Sequence, residues 1–151
     1  MATQTAVKAA PPPLVPIRRF EVADLSKHGG WIMRRLQKAY PHQNDRSMAG
    51  WLREIIGSNE FLFLYQEHAV ALAQTLRTST LDAKPIIMER FVFAEEGHVD
   101  AAAEFYGEFA LWAKRQEVTT IVVEEMSDVP HEMIRERLGR LFTRQQVFAR
   151  L

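Results

Sequence analysis

Apolar positions recur along this chain at two periods, and each change of period marks a new element. Residues 15–22 read V-P-I-R-R-F-E-V, an alternation suited to a first strand with Pro16 at its start, where a missing donor is tolerated. Two helices are then predicted. Over residues 26–40, Trp31, Ile32, Leu36 and Tyr40 form an apolar stripe; Arg34, Arg35, Gln37 and Lys38 lie largely off it, and Pro41 stands just beyond. The next helix takes Ser47 as its N-cap, carries Trp51, Leu52, Ile55 and Ile56 at helical spacing, and stops at Gly57.

Past Gly57 the period shortens. Residues 61–65 and 69–77 form two apolar runs with Gln66, Glu67 and His68 as a hairpin turn between them. A polar connection over 78–84 leads into a longer strand over 85–94, so three antiparallel strands in succession are the economical arrangement. From 98 to 116, Ala102, Phe105, Tyr106, Phe109, Trp112 and Ala113 return at spacings of three and four, which predicts the longest helix. The β-branched stretch 119–123 has the composition of a buried central strand. Pro130 then opens a helix reaching Leu138 with Gly139 as its stop, and residues 141–151 close the chain as a final strand. No internal repeat is visible.

Composition adds boundaries to this picture. Residues 1–14 are an Ala/Pro-rich arm ending in Pro11-Pro12-Pro13, with almost nothing to bury, and residues 15–151 make one α/β domain. Cysteine is absent, which excludes disulfides, thiolate nucleophiles and zinc ribbons. No apolar run has the length of a membrane span and no signal-peptide core follows Lys8, so a cytoplasmic protein without membrane attachment is expected. Nineteen basic and nineteen acidic residues cancel, leaving no global field to gather nucleic acid. The charges are nonetheless segregated: residues 89–104 are acidic, and the tail carries Arg135, Arg137, Arg140, Arg144 and Arg150.

The order strand, helix, helix, three strands, long helix, strand, helix, strand resembles the GNAT superfamily of acyl-coenzyme A dependent N-acetyltransferases, over residues 15–151. The local echoes are F-V-F-A-E-E, the helix ending A-L-W-A-K-R-Q-E-V, and T-T-I-V-V-E-E, which look like the family's fourth strand, pyrophosphate-side helix and fifth strand. The resemblance implies a mixed, mostly antiparallel α/β (α+β) sheet of about six strands with four helices on its faces. It also implies acetyl-CoA as cofactor, held by backbone groups of Phe91, Val92 and Phe93 splayed from the neighbouring strand and by the turn at Gly97.

The residues at that turn depart from the family. Where the family has a basic residue and paired small residues, this chain has Ala94-Glu95-Glu96-Gly97-His98-Val99-Asp100, with one glycine and no cation. Backbone N–H groups and a helix dipole there would favour an anion, yet Glu95, Glu96, Asp100 and Glu104 would face it. One like-charge pair ~4 Å apart costs about 1 kcal/mol even in bulk water. No cofactor is therefore the expectation. As a general base, Glu89 and Glu124 are the candidates, provided burial raises their pKa; both are expected to face solvent or pair with cations such as Arg90. The family's acid is a Tyr on the last helix, which contains none here; His131 is the candidate substitute, against a plain exposed histidine at a helix start.

Other chemistries find less. His131-Glu132-Met133-Ile134-Arg135 misses the zinc-protease pattern because Arg135 stands where the second imidazole must bind, so no metal site is expected. His28, His42, His68 and His98 lack ligand spacing and are read as surface or capping residues, and Trp31, Trp51 and Trp112 as packing.

Two functions remain. The first is a GNAT-fold protein without acyl transfer, acting as a structural or interaction component. Its arm would dock on a protein partner in a homo-oligomer or larger assembly. In this it resembles the small acetyltransferase-like proteins of tailed bacteriophages, some of them virion parts, and a virion location would follow. The second is an active N-acyltransferase moving an acetyl group from acetyl-CoA to an amine.

Overall fold

Alternation and helical spacing assemble into a six-stranded sheet with helices on both faces, in a computed structural model that describes residues 16–77, 85–123, 126–139 and the backbone of 145–147. In chain order the elements are β1 (Arg18–Arg19), α1 (Asp24–Ala39), α2 (Asp45–Ile55), β2 (Phe61–Gln66), β3 (Ala69–Leu76), β4 (Ile86–Ala94), α3 (Val99–Ala103), α4 (Phe105–Arg115), β5 (Ile121–Val123), α5 (His131–Gly139) and β6 (Gln145–Val147). The strands lie side by side in sequence order. β1 to β4 are antiparallel, and β4–β5 and β5–β6 are parallel. The mixed α/β fold expected from the element order is the fold observed. The arm over 1–14, the connection 78–84 and most of the last segment lie outside the described residues.

Strand side chains alternate between faces, so the sheet carries two cores. On one face Ala71, Ala73, Ile87 and Val92 pack against Ala102, Phe105, Tyr106 and Phe109 of α3 and α4 and against Ile134 and Leu138 of α5. On the other, Phe63, Leu72, Phe91 and Phe93 meet Ile32 and Leu36 of α1 and Leu52 and Ile55 of α2. Each fully buried Leu, Ile or Phe contributes about 1.5–3 kcal/mol relative to exposure.

Several boundaries are set by single polar groups. α2 begins earlier than its sequence pattern predicts: the cap is Asn44, whose side-chain oxygen accepts from Ser47 N at 2.8 Å, so Ser47 lies inside the first turn. The long helix predicted over 98–116 is two helices. At Glu104 the backbone tightens into i→i−3 bonds, Glu104 N to Ala101 O and Gly107 N to Glu104 O, both 3.2 Å. The β2–β3 turn needs only Glu67 and His68, because Gln66 still pairs with Ala69.

One irregularity positions everything that follows. Against β3, Phe91 pairs with Leu72 and Glu89 with Ala73, which leaves Arg90 as an extra residue in β4. Such a bulge reverses the alternation beyond it. Glu89 keeps the α4 side with Ile87, while Arg90 and Phe91 both turn toward α1 and α2.

Candidate functional site

The junction between β4 and α3 is where an anion-binding turn would sit. Gly97 takes φ +83°, a left-handed conformation natural to glycine, and reverses the chain. The turn is held to the β2–β3 hairpin: Glu95 N donates to His68 O at 2.8 Å, and His68 Nδ1 lies 2.7 Å from Glu95 Oε2. The His68 and His98 rings stack with centroids 3.9 Å apart. These two histidines, expected to be scattered, are thus one contact. Glu104 turns instead to Arg137 of α5, 3.1 Å away, and Glu96 and Asp100 are exposed.

Beside the turn runs the edge of β4 that faces β5. Val92 N donates to Met126 O at 3.1 Å, Val92 O accepts from Asp128 N at 2.9 Å, and Ala94 N donates to Asp128 Oδ2 at 2.8 Å. Ser127 bridges Val92 in parallel register. The splay required for a cofactor to hydrogen-bond this edge is therefore absent at Val92. Phe91 and Phe93 are registered with Leu72 and Val70, and their rings stack on each other, centroids 4.6 Å apart, within the α1–α2 core. A pantetheine chain would have to displace bonds already made, and a pyrophosphate would meet Glu96 and Asp100 at the turn. The residues present do not fit coenzyme A in the family's manner.

Asp128 closes that edge, and sequence reasoning did not single it out. One carboxylate oxygen takes the Ala94 N–H while the other pairs with Arg35 of α1, whose guanidinium lies 4.7 Å above the Phe93 ring. A cavity of about 300 Å³ bordered by Arg35, Lys38, Phe93 and Asp128 lies beside this clamp.

The candidate base Glu89 is not solvent-facing as expected; it is 0% exposed on the α4 side of the sheet. Its Oε1 accepts the Tyr106 hydroxyl at 3.1 Å, and that hydroxyl also shares a 2.6 Å hydrogen bond with Ser127 Oγ. Burial, with the Glu89 carboxylate second, pushes the Tyr106 phenol well above its ordinary value of 10. Tyr106 reads in sequence as one more member of an apolar stripe, and nothing local marks its polar tip as part of a buried network. Glu124 lies outside the described residues. His131 is exposed at the start of α5, and the structure does not bring it to Glu89 or to the β4 turn through any hydrogen bond or ion pair among the described residues. No cluster of metal ligands occurs among the described residues.

A separate cavity of about 340 Å³ opens on the opposite face, between α1, α2 and β4. Tyr40 and Trp51 wall it, Leu36 and Met48 form its buried floor, and Arg90 reaches it from the bulge. Trp51 packs half-buried against the α1–α2 core, as expected, and also lines this opening.

No family model and no curated protein sequence matches the chain. Solved structures do. A putative acetyltransferase from Agrobacterium tumefaciens str. C58 superposes with TM-score 0.59 at 11% identity, covering 91% of this chain and 99% of its own. An acetyltransferase from Vibrio fischeri gives TM-score 0.57 at 12% identity over 76% and 98%. The apo aminoglycoside 6'-N-acetyltransferase AAC(6')-IG from Acinetobacter haemolyticus gives 0.55 at 14% identity over 91% and 95%. The chain therefore has the GNAT acetyltransferase fold; at these identities the likeness is one of fold. Among the described residues no helix is long and apolar enough to cross a membrane.

Proposed function

We propose that this chain is a binding component built on the acetyltransferase fold, one that does not carry out acyl-CoA chemistry. The observation that supports this most is the closed β4 edge at Val92 and Ala94. A hydrogen bond contributes about 0.5–1.5 kcal/mol net, and exchanging a made backbone bond for one to a cofactor gains essentially nothing. The acidic turn removes the second source of affinity, because Glu96 and Asp100 offset the attraction of a helix end for phosphate. Glu89 and Tyr106 are then a structural network joining β4, α4 and the Ser127 segment. On this reading the arm over residues 1–14 is the attachment to a protein partner. The setting we propose for it is a virion or similar assembly, after the acetyltransferase-like phage proteins that its element order resembles.

A second reading, acetyl transfer to an amine, draws on the near-complete coverage of chains named as acetyltransferases. Isothermal titration with acetyl-CoA separates the two: the binding-component reading predicts no heat at millimolar ligand, and micromolar binding overturns it. Removing residues 1–14 and measuring the mass of the assembly with its partner tests the arm. An unchanged assembly removes the arm from the account.

A further inference from the structure

We infer that the cavity between α1, α2 and β4 is a binding site for a small aromatic carboxylic acid, with Arg90 as the group that recognises its carboxylate. This names the ligand class for the binding-component reading and rests on it. Arg90 is the extra residue of β4, and the bulge directs it onto the α1–α2 face beside Phe91 rather than into the strand ladder. Bulges commonly re-aim a side chain in this way at sites.

Among the described residues the guanidinium's donors are largely uncommitted there. A guanidinium carries five N–H donors, and the side-chain bond Arg90 makes is to Met88 Sδ at 3.3 Å, a weak thioether acceptor. Among the described residues no carboxylate forms an ion pair with it, and none borders the cavity. Arg90 is itself only partly exposed. A partly desolvated guanidinium with free donors is suited to a bidentate carboxylate, a pairing stronger than bonds between neutral groups.

The rest of the cavity sets the body of the ligand. Tyr40 and Trp51 present ring surfaces, and Leu36 and Met48 close the floor. Ser47 and Gln43 stand exposed at the rim and fit a polar substituent at the far end. Its volume of about 340 Å³ is near the lower end of the roughly 300–1,000 Å³ usual for ligand sites, so the occupant is small. The lining also rejects the substrate class of one structural neighbour. A polycationic aminoglycoside needs carboxylates, whereas this cavity offers a cation.

The test is calorimetric titration of the full-length chain with phenylacetate and with phenylacetamide, its uncharged counterpart of the same shape. The site predicts that phenylacetate binds about tenfold or more tightly than the amide, the usual scale of a charge-assisted hydrogen bond. Arg90→Met should remove that preference, Arg90→Lys should restore part of it, and kanamycin should not bind. Equal affinity for acid and amide, or no binding of the acid at about 10 mM, where even a site worth only about 3 kcal/mol would be half filled, overturns the inference. So does an undiminished preference in R90M. If R90M fails to fold, the acid–amide comparison in the unaltered protein still decides. Repeating the titration with acetyl-CoA keeps the two claims apart: acid binding alongside micromolar acetyl-CoA binding would support the site while removing the non-catalytic reading.

Discussion

Asp128 commits its two carboxylate oxygens to two different elements, the end of β4 and the middle of α1. That single side chain ties the helix layer to the strand edge and covers a backbone N–H that would otherwise be available to a ligand. Asp128→Ala should lower stability by about 1.5–3 kcal/mol, the range for hydrogen bonds to charged groups, in urea denaturation. It should also speed amide exchange at Ala94. Tyr106→Phe tests the buried network in the same way. Removing a hydroxyl shared by Glu89 and Ser127 leaves buried polar atoms short of a partner, and a loss of about 1–3 kcal/mol is expected. Because burial raises the Tyr106 phenol well above 10, ultraviolet titration should find this tyrosine silent until the chain unfolds. Neither residue was legible from local sequence. Tyr106 keeps the helical spacing of a core residue, and Asp128 stands in a short polar stretch whose importance comes from the partners the fold brings to it. Glu89 shares the α4 face with Ile87 by plain alternation, yet its burial depends on the helix that covers that face, and the run Ile86-Ile87-Met88-Glu89-Arg90-Phe91 gives no sign of the bulge that turns Phe91 to the other side.

Elements, by contrast, were largely readable, because periodicity and breakers act over neighbouring residues. β2, β3, β4 and α4 lie close to where apolar spacing puts them, and the misplaced boundaries each have a local cause. Asn44 caps α2 ahead of Ser47, so Asn44→Ala should cost about 1 kcal/mol and Ser47→Ala much less, by thermal or chemical denaturation. β1 is short, and it is joined to α1 by Arg18, whose guanidinium binds both Asp24 oxygens at 2.7 and 2.8 Å. Glu21 N adds a third bond to Asp24. The Arg18 bond, outweighing the cost of burial, holds the Asp24 carboxyl below its ordinary value of 3.8. The folded chain therefore binds fewer protons there than the unfolded one, and the stabilisation is complete above about pH 4 and lost as pH falls through the lowered value. Asp24→Asn should be less stable than the parent near neutral pH, with the gap narrowing below about pH 4. Denaturation series at several pH values would show it, and a gap independent of pH would contradict it.

At the scale of the whole molecule, the fold and the site point in different directions. The element order matches acetyltransferases across nearly the entire chain, and the superpositions agree. The features that bear on coenzyme A lie at one strand edge and one turn: the N–H groups of Val92 and Ala94 have internal partners, and the following turn is acidic. The acidity could be read from sequence because it needs only residue identity. The closed edge could not, since it depends on a segment more than thirty positions further along the chain, Met126 to Asp128, returning to β4. The most direct measurement is therefore residue-specific: amide chemical shifts of the isotope-labelled chain during titration with acetyl-CoA. The account predicts that the Val92 and Ala94 amides stay in place and remain slow to exchange at millimolar ligand. Saturable shifts of those two amides at micromolar acetyl-CoA would contradict it.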